Sequence, residues 1–249
     1  MVAWLCLLAA VVGVGICGCH GAKPPAEDQV MPRVVETGFI HKSIPIDGRS
    51  YPYVVYVPQD YSAQSTWPVF LFLHGKGERG SDGLAQTRVG IGPAIREHPE
   101  RFPCIVVMPQ CDPEYMWDGP METLALAALD RTLAEYAADD AHVVLTGLSM
   151  GGRGTWTIGA RHADRFCALV PICGWGEPET ADALAHMPIW AWHGDADPVV
   201  PVDNTRKMAD AVRAAGGTVR YTELPGVTHN SWDAAYGSPE LIAWMLGEQ

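Results

Sequence analysis

The sequence predicts an α/β domain, a mostly parallel sheet flanked by helices. Three observations predict it. Five short, continuous apolar runs recur along the chain, as strands covered on both faces require: Val69–Leu73, Cys104–Met108, Val143–Leu145, Ala168–Ile172 and Ile189–Trp192. Segments with helical spacing of apolar residues lie between them. Two alternating segments around Asp47-Gly48 open the domain with a hairpin signal. Strands that alternate with helices run parallel, because each crossover returns the chain to the same end of the sheet. A chain of 249 residues is long enough for one such domain with a full core.

The elements follow in order. Val2 to Ile16 is almost wholly apolar, too short for a comfortable membrane span and suited to the apolar region of a signal peptide, although no Lys or Arg precedes it. Ile16-Cys17-Gly18-Cys19 resembles a bacterial lipobox. Residues 1–18 therefore read as a lipoprotein-type signal peptide. Cys19 reads as the lipidated first residue of the mature chain, tethered to a membrane by its acyl chains alone. An ordinary secretory signal cut nearby and a retained membrane helix are the alternatives. The lipidated form would be exported and anchored on the periplasmic or cell-surface side. Residues 19–36 contain Pro24, Pro25 and Pro32 without periodicity and read as a tether.

Residues 37–249 read as one folded α/β domain. Phe39–Pro45 and Tyr51–Val57 are the hairpin strands. Met121–Ala138 is the clearest helix, with apolar positions at Leu124, Leu126, Leu129, Leu133 and Tyr136. Asp203–Ala215 and Pro239–Leu246 are two more, and Val219–Leu224 is a last, more polar strand.

Composition excludes several classes. Hydrophobic residues at 48% and charged residues at 18% exclude a disordered or fibrous chain. A net charge of −12 with no basic run argues against nucleic acid as a partner and gives no attraction to an anionic membrane surface. Of seven cysteines, Cys6, Cys17 and Cys19 lie in the leader. Cys104, Cys111, Cys167 and Cys173 stand at the ends of core strands, where disulfides in an exported protein and small buried thiols are both open readings. No Cys-x-x-Cys or His-rich pattern points to a metal, and the chemistry expected below calls for no cofactor.

Gly147-Leu148-Ser149-Met150-Gly151 follows the apolar run His142–Thr146 and precedes Gly152–Trp156, which opens a helix. A serine between two glycines at a strand-to-helix turn is the nucleophile-elbow pattern. The turn is tight enough that a side chain at either flanking position would strike the neighbouring strand or helix. Serine is protonated at neutral pH, so it needs a base to take its proton and an acid to orient that base. His229, in Pro225–Trp232 beyond the last strand, is the only histidine after residue 197 and takes the place of the base.

Asp195 and Asp197 both stand in the loop His193–Pro201 and compete as the acid; Asp195 also suits a turn residue bonded to its own backbone. The Met150 N–H, at a helix start, is one donor for an oxyanion, and the glycines of His74–Gly80 let a second backbone amide come close. His74 and His193 begin His-Gly turns and read as braces of loops. Glu78 and Arg79 read as a structural pair beneath the loop. His41, His98, His142, His162 and His186 read as surface or element-end residues.

The order Ser, acid, His on loops after successive strands resembles the α/β-hydrolase fold. The segment His193–Pro201 resembles the acid loop of its carboxylesterase and dienelactone-hydrolase branches. There the acid immediately precedes Pro-Val-Val-Pro, which implies Asp197 rather than Asp195. The same resemblance gives the second oxyanion amide to Lys76, after His-Gly, although such loops often carry a small residue there. Leu73–Gly80, Met108–Cys111, Gly147–Gly152 and Thr228–Trp232 together resemble bacterial secreted esterases, also labelled predicted peptidases or phospholipase/carboxylesterases. That group is related to polyhydroxybutyrate depolymerases and feruloyl esterases. The resemblance runs from about Thr37 to the end. It implies a serine carboxylic-ester hydrolase acting through an acyl-enzyme.

The connection Gly174–Met187 is short, so no large cap domain is expected over Ser149. An open cleft suits a bulky ester substrate or the acyl groups of a polysaccharide. Trp117, Trp175 and Trp232 are candidates to line it, or else fill the rim of the core. A polyester depolymerase and a serine peptidase of the same fold are the alternative enzymes. A prolyl-oligopeptidase type is disfavoured because no propeller segment is present, and dienelactone hydrolysis because that branch carries Cys where this chain has Ser149. The non-enzymatic alternative is a surface lipoprotein that uses the fold as a binding module.

Overall fold

The computed structural model describes Met1 and residues 35–248. The predicted signal peptide, the lipidated Cys19 and the tether up to residue 34 lie outside the described residues, apart from Met1. No helix among the described residues is long and apolar enough to cross a membrane.

Among the described residues, eight strands form one sheet: β1 (Gly38–Ile46), β2 (Arg49–Val57), β3 (Trp67–Leu73), β4 (Ile105–Pro109), β5 (Ala138–Leu148), β6 (Ala168–Ile172), β7 (Ile189–Gly194) and β8 (Val219–Leu224). Their order is β1-β2-β4-β3-β5-β6-β7-β8. β1, β2 and β4 pair antiparallel, and every later pairing is parallel. The hairpin stands where the sequence places it, and Asp47 (φ 49°) and Gly48 (φ 79°) both take the positive φ that a tight hairpin turn demands.

Among the described residues, seven α-helices flank the sheet: α1 (Ile91–Glu97), α2 (Pro120–Glu135), α3 (Met150–Arg161), α4 (Ala181–Leu184), α5 (Asp203–Ala214), α6 (Trp232–Gly237) and α7 (Pro239–Met245). Successive strand residues point to opposite faces, which splits the core in two. Leu71, Val107, Leu145 and Ala191 pack with Leu124 and Leu129 of α2, Trp156 of α3 and Met208 of α5. Phe70, Phe72, Val106 and Trp190 pack on the other face with Ile91 of α1, Tyr236 of α6 and Leu241 of α7. Burial on both sides is why the central strands read as unbroken apolar runs.

The helix expected over Met121–Ala138 stops at Glu135. Tyr136 turns extended (φ −113°, ψ 162°), and Ala138 already pairs with Trp67 as the start of an eleven-residue β5. The Tyr61 hydroxyl accepts the Ala137 N–H at 2.7 Å, and Tyr61 packs against both Trp67 and Tyr136. Tertiary contacts therefore override local helical spacing at this end. The four domain cysteines are free thiols, Cys104, Cys111 and Cys173 buried and Cys167 partly so. Of the two readings the sequence left open, the structure shows the thiols and no disulfide among the described residues.

The edges of the sheet are charged. On β1, Lys42 bonds Glu135 at 2.6 Å. On β8, Glu223 pairs with Arg206 at 2.5 Å, and the Arg220 guanidinium lies 3.4 Å from the centre of the Trp190 ring.

The turn from β5 into α3 is set by backbone proximity. A Cβ on Gly151 would sit 1.8 Å from the Leu73 carbonyl oxygen, and one on Gly147 2.5 Å from the Gly151 carbonyl oxygen. Backbone cannot yield as a side-chain end can. Gly151→Ala is expected to lower unfolding stability by about 3 kcal/mol or more. Urea unfolding of the variant beside the parent measures it, and an unchanged midpoint would contradict the stated contact.

Candidate active site

Ser149 stands between β5 and α3 with φ 53° and ψ −113°, a left-handed conformation that is strained for a residue with a Cβ. Two hydrogen bonds hold it: its N–H donates to the Ile172 carbonyl, and its carbonyl accepts the Arg153 N–H, both at 2.9 Å. The strain turns the side chain out from the carboxyl end of the sheet, where the loops after β3, β7 and β8 also end.

His229 reaches Ser149 from the loop after β8. Its Nε2 lies 2.9 Å from Ser149 Oγ, and its Nδ1 lies 2.7 Å from Asp197 Oδ2. Trp232 meets the imidazole edge-on at 5.4 Å. The structure thus joins Ser149, His229 and Asp197 in one hydrogen-bonded line.

The Asp197 carboxylate has no exposed side-chain surface, and it is held by several donors. The amides of Val199 and Val200 donate to Oδ1 at 2.8 and 3.0 Å. The tight Asp-Pro-Val-Val turn thereby places two N–H groups on one oxygen. Burial alone would raise the Asp197 pKa, but the bonds from His229, Val200 and Val199 outweigh it, and the carboxyl lies below its ordinary range.

Asp195 does not join this line. Its Oδ1 accepts the Gly226 N–H at 2.6 Å, while its own N–H donates to the Leu224 carbonyl at 3.1 Å and Ala196 N–H to the Val227 carbonyl at 3.1 Å. Its partner is therefore the histidine loop rather than its own backbone. It fastens the acid loop to the loop that carries His229.

Ser149 and His229 line a cleft of about 330 Å³ with Lys76, Met150, Trp175, Trp232, Met116 and the exposed Val199. A hollow of about 420 Å³ between Tyr56, Asp60 and Glu100 is larger but shares no residue with it. Met150 is the first residue of α3, where N–H groups have no partner inside the helix. Lys76 opens a short 3-10 turn, Lys76–Glu78, on the other side of the serine.

Two expectations are corrected. Trp117 does not line the cleft: it is completely buried, its Nε1 donates to the His74 carbonyl at 2.9 Å, and its ring meets His74 edge-on at 5.0 Å. It supports the Lys76 loop from below. Glu78 and Arg79 are not a pair. Arg79 bonds the carbonyls of Lys76 and Tyr115, each at 3.2 Å, whereas Glu78 lines the cleft, where burial raises its pKa.

His74 and His193 both brace loops. His74 donates from Nδ1 to the Gly75 carbonyl at 2.6 Å and accepts the Cys111 N–H on Nε2 at 2.9 Å. His193 touches Asp197 itself, a contact that sequence order gave no way to anticipate.

Among the described residues, Cys173, Asp197 and His229 offer metal-ligand atoms within 4.8 Å of one another. Burial pushes the Cys173 thiol up to about 12, so it stays protonated, and the other two residues already bond each other. The donor set fits a carboxylate–imidazole relay better than a metal.

The comparisons with known proteins agree with this fold. Residues 114–234, which hold Ser149, Asp197 and His229, match the Dienelactone hydrolase family model. A crystal structure described as a thermostable esterase is 33% identical with a TM-score of 0.78, over 84% of this chain and 62% of that one. A protein named a probable feruloyl esterase C, from Aspergillus terreus, is 23% identical over 169 residues, 66% of this chain and 61% of that protein. An Arthroderma benhamiae relative named an uncharacterized secreted protein is 24% identical over 65% of this chain, which spans only 21% of that relative. The chain therefore spans less than two thirds of each of these relatives.

The buried histidines make stability depend on pH. Desolvation holds His74 down to about 4 in the fold, against an ordinary 6.5. As pH falls below 6.5, the unfolded chain takes up a proton that the folded chain refuses until about 4, so stability is lost across that window. Burial lowers His193 in the same direction. The urea midpoint is expected to fall between pH 6.5 and 4, with a smaller fall in His74→Asn. Equal falls in parent and variant would remove His74 as a cause.

The strand order, the turn at Ser149 and these likenesses show that the chain has the α/β-hydrolase fold.

Proposed function

We propose that the chain is a serine carboxylic-ester hydrolase that works through an acyl-enzyme. The observation that carries this reading is the line Ser149 Oγ–His229 Nε2 at 2.9 Å and His229 Nδ1–Asp197 Oδ2 at 2.7 Å, ending on a strained serine. His229 takes the Ser149 proton as Oγ attacks the ester carbonyl. The Met150 and Lys76 N–H groups receive the oxyanion. His229 then gives the proton to the departing alcohol. Water, deprotonated by the same nitrogen, releases the acid. Asp197 keeps the imidazole in the tautomer that accepts on Nε2 and balances the imidazolium.

The proposed substrates are bulky esters, among them acyl groups on polysaccharides. Support comes from the short connection between β6 and β7, whose helical parts are a 3-10 turn and the four-residue α4, and from Trp175 and Trp232 in an open cleft. The relatives named as esterases favour an ester over an amide. Export and anchoring through Cys19 are proposed on the leader sequence, and a relative named as secreted accords with export.

Ser149→Ala is expected to abolish hydrolysis of nitrophenyl acetate and labelling by a fluorophosphonate, with an unchanged circular dichroism spectrum. Full activity in that variant would sink the assignment. Asp197→Asn is expected to lower kcat by about 10³–10⁴-fold. Asp195→Asn, which loosens a loop fastening, is expected to cost about tenfold or less. The reverse ranking would transfer the role of the acid to Asp195.

A further inference from the structure

His193, near the end of β7, is fully buried and has no part in the proton transfers above. Its Nε2 lies 3.1 Å from Asp197 Oδ2 and 3.0 Å from the Val200 carbonyl oxygen. Both are acceptors while the carboxylate is ionised, so Nε2 must carry a proton. Its Nδ1 lies 2.8 Å from Thr205 Oγ1, on the buried side of α5. Burial lowers the pKa of this ring and favours its neutral form, in which a proton on Nε2 leaves Nδ1 to accept from the Thr205 hydroxyl. The Thr205 hydroxyl, which has a single proton, is also within donating distance of the Gly174 carbonyl at 3.2 Å, just beyond β6. The tautomer of His193 is therefore set by the two acceptors at Nε2, and its one N–H is shared between the Asp197 carboxylate and the Val200 carbonyl.

We infer that His193 is a positioning residue of the Ser149 site, fixing Asp197 Oδ2 through Nε2–H where His229 Nδ1 bonds it. The inference rests on the reading of Ser149, His229 and Asp197 as the reacting line. The torsion that turns a carboxylate is soft. Val199 and Val200 hold Oδ1, and His193 holds the other oxygen from within the core, so the plane of the carboxylate is set before His229 contributes. His193 also withdraws negative charge from Oδ2. Without it the carboxylate would stabilise a His229 imidazolium more strongly, raising the pH at which His229 becomes able to accept the serine proton. The titratable groups that face Asp197 are His193 from β7, His229 from the loop after β8 and Cys173 from the end of β6. The Cys173 thiol stays protonated, so the two histidines carry the pH dependence.

The test compares His193→Gln, which keeps an N–H near the position of Nε2, with His193→Leu, which fills the space without one. In the full chain, His193→Leu is expected to lower kcat for nitrophenyl acetate by about 10–100-fold with KM nearly unchanged. The acid limb of its kcat/KM profile should move up by about half a pH unit or more. His193→Gln should recover most of both. In the parent, nitrogen-15 NMR should find His193 neutral and protonated on Nε2 at about pH 7.5.

Equal activity and an unmoved acid limb in the two variants would reduce His193 to a space-filling residue. A proton on Nδ1 in the parent would overturn the inference without any activity measurement. If His193→Leu does not fold, the Gln variant and the NMR tautomer decide it: a Gln variant with parental kcat and acid limb supports it, and one that loses both overturns it. A parent that neither hydrolyses esters nor takes up fluorophosphonate would instead overturn the reading of Ser149, and the tautomer would still report on the bond to Asp197.

Discussion

The site depends on one close approach of backbone to backbone. The carbonyl of Leu73, at the end of β3, lies so near Gly151 that α3 can start only where no Cβ intervenes. This contact fixes the direction of α3 relative to β5. The residue between them, Ser149, must then adopt a left-handed conformation, which costs of order 1–2 kcal/mol for a side chain with a Cβ. The bonds to Ile172 and Arg153 keep it there. The serine is consequently presented by packing between neighbouring strands, and the chemistry inherits its geometry from the order in which β3, β5 and β6 lie side by side.

A second layer of constraint acts on charge. Asp197 is taken out of water and receives N–H donors on both oxygens, which keeps a buried carboxylate ionised. The loops that carry the acid and the histidine are tied by Asp195 and by the Ala196–Val227 bond. Asp197 and His229 are therefore spaced by backbone contacts as well as by their own hydrogen bond.

Much of this was legible in the sequence, for physical reasons. Apolar runs revealed the central strands because both faces of those strands are covered. Asp47-Gly48 revealed the hairpin because few residue pairs accept two positive φ values in succession. The elbow, His229 and the acid loop were visible because the chemistry proposed for them requires particular residues at strand ends. Three things were not visible. Trp117 looks like a cleft aromatic in a sequence, but its depth is set by Gly154 and His74, far away along the chain. Arg79 next to Glu78 suggests a pair, but in the 3-10 turn the two side chains diverge. The early end of α2 depends on Trp67 and Tyr61, which no window around residue 136 contains. In each case the deciding partner is remote in sequence.

Among the described residues the sheet ends in two strands with an unpaired hydrogen-bonding side, β1 and β8. Such edges are templates on which another polypeptide can add itself as a further strand. Here one edge carries Pro45 and Lys42 and the other Arg220 and Glu223, and the three charged residues are each paired with a neighbour in the same chain. A foreign strand aligning there would have to break those pairs and bring its own groups against fixed charges. The outermost strands thus guard against the addition of a further strand, while the carboxyl end of the sheet, where Ser149 lies, holds an open cleft.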